Sequence, residues 1–296
     1  MKFYPTLSIV FLLFYNLAFT QAKKGFPEEY TVLNIEPSKT DSRIKEANSS
    51  HLVAYNPNTK QGKLFFFMPG TGGIALKGPR KLFSTAINQG YHVINISYIN
   101  QPAVAQICKG KILEENSNCT EEFRTKRIYG NNAFSLINDK PQDAIVNRLT
   151  KLLIYLTEHD KKGNWSIYLE NGTPKWSKIV VSGQSQGGGM AAFIAKQHLV
   201  NRVIDFSGGW DYSAKPKTAK WYYSTSVTPL NRWYGTYHTT EPLANIIKES
   251  YDVMGIPENH IYAFDLPVPE GKKGHSNGVR NIGYTKEWIE LLGKGN

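Results

Sequence analysis

Cysteine is almost absent from this chain. The 296 residues contain two, Cys108 and Cys119. No Cys-x-x-Cys pair or nearby histidine accompanies them, which argues against a metal site, and they predict one disulfide closing a short polar loop. No segment repeats at a fixed period, so solenoid and propeller architectures are excluded. No ligand cluster points to a metal or an organic cofactor, and none is expected. Acidic residues are the minority charge: 24 Asp and Glu stand against 35 Lys and Arg, a formal net charge of +11. The excess is scattered and no nucleic-acid module accompanies it, so it predicts a solvated basic surface and no nucleic-acid partner. Long apolar runs are missing after the first two dozen residues, which excludes a later bilayer span of ~20 residues.

The one apolar run, Leu7 to Phe19, follows Met1-Lys2 and precedes Thr20-Gln21-Ala22-Lys23. A basic start, a hydrophobic middle and small residues near a cut predict a signal peptide over residues 1–22, cleaved after Thr20 or Ala22. The expected product is a single domain over residues 23–296, secreted or periplasmic, with no integral membrane segment. Five Asn-x-Ser/Thr sequons, at Asn48, Asn95, Asn118, Asn164 and Asn171, matter only in a glycosylating host. Asn95 falls on a predicted buried strand, where no glycan attaches.

What is present is an alternation of strand and helix patterns, which sets the class as α/β. Glu29–Ile35 and His51–Tyr55 read as short, half-exposed strands at an antiparallel edge. Lys63–Met68 is apolar on both faces, as a central parallel strand is. A helix is predicted over Leu82–Asn88 and a strand over His92–Tyr98. Residues 99–140 have no strong period, hold both cysteines, and read either as an excursion near the active-site edge that helps shape a substrate pocket or as an ordinary surface insertion. Pro141 opens a helix with Ile145, Leu149, Leu152, Leu153 and Leu156 at helical spacing. Residues 159–177 read as a loop or small hairpin. Strands follow at Arg202–Ser207, Arg232–Tyr237 and His260–Leu266, with one helix packing through Leu243, Ile246, Ile247 and Met254 and a last one through Trp288, Leu291 and Leu292.

The stretch Ile179–Gly189 carries the chemistry. A β-branched run stops at Gly183-Gln184-Ser185-Gln186-Gly187 and an Ala-rich helix begins. Strand, sharp turn and helix around Gly-x-Ser-x-Gly form the nucleophile elbow of α/β-hydrolases, with Ser185 Oγ exposed at the carboxyl edge of the sheet. The N–H of Gln186, at the start of the helix, is a candidate oxyanion donor. The Gly-rich turn Pro69–Gly73 lacks the spacing of a nucleotide-binding loop and supplies the other candidate donor, the N–H of Thr71 or Gly72.

A serine hydroxyl needs a base, and the base needs a carboxylate. In this fold their chain order is Ser, acid, His. Of seven histidines, His51, His92 and His159 precede the serine, His198 lies inside the elbow helix, His238 precedes the preferred acid, and His260 starts a strand. His275, on a Gly-flanked loop after the last strand, remains. Two acids compete. Glu241 follows the penultimate strand; Asp211 follows the one before it and is the alternative, the unused one being a surface or loop-capping carboxylate. Asp205 and Asp265 read as structural.

Leu64–Gly73 (LFFFMPGTGG), Trp176–Ala192 (WSKIVVSGQSQGGGMAA) and Tyr234–Pro242 (YGTYHTTEP) resemble a group of exported, largely uncharacterised α/β-hydrolases. The paired cysteines followed by Phe123-Arg124 and the Gly274-His275 loop are similar to that group too. The resemblance covers most of the chain after the signal. It implies an α/β-hydrolase fold, a mostly parallel central sheet with helices on both faces, and a triad on Ser185, His275 and Glu241 or Asp211. The group gives no substrate. One position departs from it, because many relatives carry Gly-His-Ser-Gln-Gly at the elbow where this chain has Gln184.

The expected activity is that of a secreted serine hydrolase acting on a small-molecule or polymer ester through an acyl-enzyme, on a fold that also hosts lipases, amidases and peptidases. The alternative is a non-catalytic sugar- or lipid-binding protein that uses aromatic-rich loops around Trp210, Trp221–Tyr223 and Trp233.

Overall fold

The β-branched and aromatic runs become strands of one sheet in the computed structural model, which describes residues 25–130, 133–214 and 217–296. The predicted signal peptide, residues 1–22, lies outside the described residues. In chain order the strands are β1 (Thr31–Ile35), β2 (His51–Tyr55), β3 (Lys63–Met68), β4 (Tyr91–Asn95), the hairpin β5 (Leu169–Glu170) and β6 (Thr173–Pro174), β7 (Ile179–Gln184), β8 (Arg202–Phe206), the hairpin β9 (Tyr212–Ala214) and β10 (Lys217–Thr218), β11 (Trp233–His238) and β12 (Ile261–Phe264). Eight of them form the central sheet, in the order β1-β2-β4-β3-β7-β8-β11-β12. Only β2 runs against its neighbours; every other pair from β4 to β12 is parallel. This is the α/β-hydrolase arrangement expected from the sequence.

The helices are α1 (Pro37–Thr40), α2 (Arg80–Asn88), α3 (Val104–Ile107), α4 (Gly110–Glu115), α5 (Cys119–Tyr129), α6 (Ile145–His159), α7 (Gln186–Gln197), α8 (Ala244–Met254), α9 (Gly274–Arg280) and α10 (Thr285–Leu292). Strand side chains alternate between two faces, and each face is covered. Leu64, Phe66, Ile179, Val181 and Val203 pack under residues of α5, α6, α7 and α8. Phe65, Phe67, Val93, Val180 and Ile204 pack under residues of α2, α9 and α10.

The order of the strands places the site. The chain steps from β3 outward to β4, then returns to the opposite side of β3 with β7. Where strand order reverses, the loops after two parallel neighbours diverge and leave a crevice at their carboxyl ends. Met68 is level with Gly183 in the β3–β7 register, so the Pro69–Gly73 turn and the Ser185 elbow leave the sheet side by side.

Several expectations need correction. Strand β2 is buried along its whole length and not half-exposed, because β1 pairs along its outer edge. The run His92–Tyr98 leaves the sheet at Asn95, and Pro141–Asp143 is a separate 3-10 turn ahead of α6. Leu243 precedes α8 and is exposed, and the buried face of that helix is Ala244, Ile247, Ser250, Tyr251 and Met254. His198 lies just past α7, as its C-cap. His260 ends a 3-10 turn ahead of β12, and Asp265 follows β12 and is exposed.

Residues 99–140 hold three helices, α3, α4 and α5, where no period was visible. The Cys108–Cys119 disulfide joins the end of α3 to the start of α5. Closing a loop of eleven residues stabilises the fold by about 3 kcal/mol in the chain-entropy account. Buried Arg127 pairs with Asp139 at 2.8 and 3.1 Å and donates to Pro102 O at 2.6 Å. Buried Arg148 holds Asp143 at 3.0 Å. Asn95 is fully buried, with its Nδ2 donating to Ala75 O at 2.6 Å. No helix among the described residues is long and apolar enough to cross a membrane.

Candidate active site

Strand β7 ends at Gln184 and α7 begins at Gln186, so the whole reversal falls on Ser185. Its backbone lies at φ 57°, ψ −122°, a conformation that costs a non-glycine residue about 1–3 kcal/mol and persists only where the surroundings impose it. Here they do, through the Ser185 N–H bond to Phe206 O at 2.8 Å and the packing of the two flanking glycines. A Cβ on Gly183 would collide with the backbone of Gly187 and Met68, and one on Gly187 with Met68 O. The elbow therefore packs backbone to backbone against the end of β3.

Glu241 and His275 meet. Glu241 lies in the turn after β11, closed by its N–H bond to His238 O at 2.9 Å, and is buried. Its Oε2 is 2.5 Å from His275 Nδ1. Its Oε1 accepts from Ser207 Oγ at 2.6 Å and from the His238 N–H at 2.7 Å. Both carboxylate oxygens are thus fixed, and the one facing the imidazole is not free to rotate away.

His275 sits in the first turn of α9 and not on a loop. Its Gly-rich surroundings form a helix because tertiary contacts hold them: Trp288 Nε1 donates to Gly278 O at 2.8 Å, and Gly278 lies against the Phe264 ring. The Trp210 ring packs at 5.1 Å from the imidazole.

Asp211 is elsewhere. It forms a bidentate pair with Arg124, at 2.6 and 2.8 Å, and accepts from Trp221 Nε1 at 3.0 Å. It is neither a surface nor a loop-capping carboxylate, being 2% exposed. Asp205 lies nearby in β8, fully buried, with Oδ1 accepting from the Gly208 N–H at 2.9 Å. Burial pushes its pKa up to about 7. His238 is a buried bridge, with Nε2 against Leu266 O at 3.0 Å and Nδ1 against Thr240 Oγ1 at 2.9 Å.

The two candidate donors in the Gly-rich turn differ. The Gly72 N–H is taken by Asn100 Oδ1 at 3.2 Å, and Asn100 Nδ2 donates to Gly73 O at 2.7 Å. The N–H groups of Thr71 and Gln186 have no acceptor among the described residues. The Gln186 side chain spans from the elbow to the excursion, accepting from the Val104 N–H at 2.9 Å and donating to Asn100 O at 2.9 Å. One chain of bonds thus sets the turn against the elbow. Asn100 and Ser207 carried no sequence signal, since each acts only through a fold-level contact.

Gln184, the position that departs from Gly-His-Ser-Gln-Gly, donates from Nε2 to His275 O at 2.9 Å. It ties the strand before the nucleophile to the backbone of the histidine. Replacing it with Met keeps the volume and removes the bond, which predicts a fall in kcat of about 3- to 10-fold, the kinetic equivalent of one neutral hydrogen bond. Steady-state kinetics on an aryl ester checks this, and an unchanged kcat would show the contact to be incidental.

Ser185, Gln184 and His275 line a cleft of about 530 Å³ together with the Pro69–Gly73 turn and the segment to Pro79. No described residue of 99–140 lines it. The excursion instead lines a neighbouring cavity of about 380 Å³ with Trp210, Asp211 and Leu243. Of the aromatic residues named for the alternative binding reading, Trp221, Tyr222 and Trp233 are buried in the core, Tyr223 is exposed and Trp210 packs against His275.

No family model and no curated protein sequence matches the chain, so the family resemblance stays with the motifs quoted above. Among solved structures it is similar to a Pyrococcus furiosus esterase, at 12% identity over 91% of each chain with a TM-score of 0.48. A Staphylococcus aureus S-formylglutathione hydrolase matches at 11% identity over 89% of this chain and 96% of its own, with a TM-score of 0.47. An Anabaena variabilis dienelactone hydrolase matches at 13% identity over 89% and 98%, with a TM-score of 0.46.

Proposed function

We propose that this chain is a serine hydrolase of carboxylic esters. Ser185 Oγ attacks the ester carbonyl while His275 Nε2 takes its proton, and Glu241 holds the imidazole with Nδ1–H toward its carboxylate and stabilises the imidazolium. The tetrahedral oxyanion is received by the N–H groups of Gln186 and Thr71. His275 then gives the proton to the leaving alcohol. Water, activated by the same histidine, attacks the acyl-serine and releases the acid. The observation that carries this reading is the 2.5 Å contact of His275 with a twice-anchored Glu241, beside the cleft onto which the Ser185 elbow opens.

We also place the enzyme outside the cytoplasm. The signal-like N-terminus and the disulfide support that, since disulfides persist in oxidising compartments.

Hydrolysis of 4-nitrophenyl butyrate by residues 23–296 tests the reaction. Ser185→Ala is expected to lower kcat by about 10⁴-fold or more, as loss of a triad nucleophile does. A variant that keeps activity within tenfold of wild type would remove Ser185 from the chemistry.

A further inference from the structure

Among the described residues, the cleft beside Ser185 is lined by two cations and no anion. Lys77 and Arg280 contribute to its wall, and none of its lining residues is Asp or Glu. The two cations are tied together, because Arg280 Nη2 donates to Lys77 O at 3.1 Å. Neither has a carboxylate within ion-pair distance among the described residues.

This is unlike the treatment of arginine in the interior. Arg124, Arg127 and Arg148 are each matched by an aspartate at 2.6, 2.8 and 3.0 Å. Packing around Arg280 lowers its pKa below the usual arginine value. A guanidinium without a counter-charge is free to receive an arriving anion through charge-assisted hydrogen bonds. Arg280 is nonetheless exposed, as a group that must meet a ligand has to be. It also shares α9 with His275, so the same short helix carries the base and the cation.

We propose that the substrate is an ester bearing a carboxylate, which Arg280 and Lys77 hold in this cleft while the ester carbonyl lies on Ser185. A guanidinium presents paired N–H donors that match a carboxylate bidentately, and Lys77 adds a point charge beside it. A compact space of 530 Å³ is on the order of 10 Å across, well within the size range of small-ligand pockets. The charge and the scissile carbonyl are therefore joined by a chain of a few carbons. This assignment rests on the ester-hydrolase reading for its chemistry, but the anion site can be tested without turnover.

Mono-4-nitrophenyl adipate and 4-nitrophenyl hexanoate differ in the terminal carboxylate, so the ratio of their kcat/KM values isolates its effect. The wild type is expected to favour the adipate ester by about tenfold or more, the range of a charge-assisted hydrogen bond. Arg280→Gln with Lys77→Met should bring the ratio near one, and Arg280→Lys should keep part of it. A merely structural role for Arg280 would depress both substrates and leave the ratio unmoved. A wild-type ratio near one, or a preference that survives the double variant, overturns the proposal. If neither ester is turned over, the hydrolase reading fails and binding decides. Calorimetry of adipate with Ser185→Ala would then show saturable binding that Arg280→Gln abolishes, or no binding, which rejects the anion site as well.

Discussion

Glu241→Gln is expected to lower kcat on a neutral aryl ester by about 10⁴-fold, as amide replacement of a triad acid does, with the folded structure kept. The size of the effect follows from how the carboxylate is held. Oε1 accepts two hydrogen bonds, from Ser207 Oγ and the His238 N–H, while Oε2 faces His275 Nδ1. In the glutamine variant the two donors claim the amide oxygen, so the NH₂ group turns toward His275. Nδ1 must then act as acceptor and the proton moves to Nε2, the nitrogen that has to accept from Ser185. The imidazole stays in place in the wrong tautomer. Circular dichroism and thermal melting should show a native-like fold. A loss of less than tenfold would mean that Glu241 does not orient the base.

Asp211→Asn should do the reverse, costing stability while leaving the chemistry of the folded molecule in place. Arg124 is 2% exposed and Asp211 fully buried at their side chains. Removing one charge of such a pair leaves the other uncompensated, at a cost of about 3–5 kcal/mol. The lower end is expected, because Asp205 stands near Arg124. The Asp211 charge contributes to the raised pKa of Asp205, so neutralising Asp211 lets Asp205 ionise more readily. For a chain of this size about 3 kcal/mol corresponds to a Tm lower by roughly 6–12 °C. Scanning calorimetry checks the shift. A large drop in kcat per folded molecule with an unchanged Tm would exchange the roles of the two acids.

These two carboxylates also show how far the sequence could be read. The elbow was legible because strand, turn and helix lie within eleven adjacent residues, Ile179–Gly189. The acid was not, since Glu241 and Asp211 both follow parallel strands of the same half-sheet. What separates them is Arg124, which reaches Asp211 from 87 residues away. Helix α5 escaped notice for a related reason. Its buried face includes Arg124 and Arg127, so it shows no clean apolar stripe until their aspartates are known.

His275 follows the last strand, as the chain order indicates, but Gly274 and Gly278 disguise its helix, which tertiary contacts with Phe264, Trp288 and Gln184 sustain. The aromatic run Trp221–Tyr223, offered for the alternative binding reading, divides, with Tyr223 exposed and the other two rings buried. Composition alone cannot distinguish an exposed ring platform from a loop whose rings fill the core, and here Trp221 and Tyr222 fill it.

The most direct measurement is labelling of the purified protein with a fluorescent fluorophosphonate, beside Ser185→Ala, with the adduct located by mass spectrometry. The probe reports an activated serine without presuming a substrate. The proposed mechanism predicts stoichiometric labelling on Ser185, absent in the Ser185→Ala variant and strongly slowed in Glu241→Gln. A folded, disulfide-intact protein that takes up no label, or takes it up equally in Ser185→Ala, would contradict it.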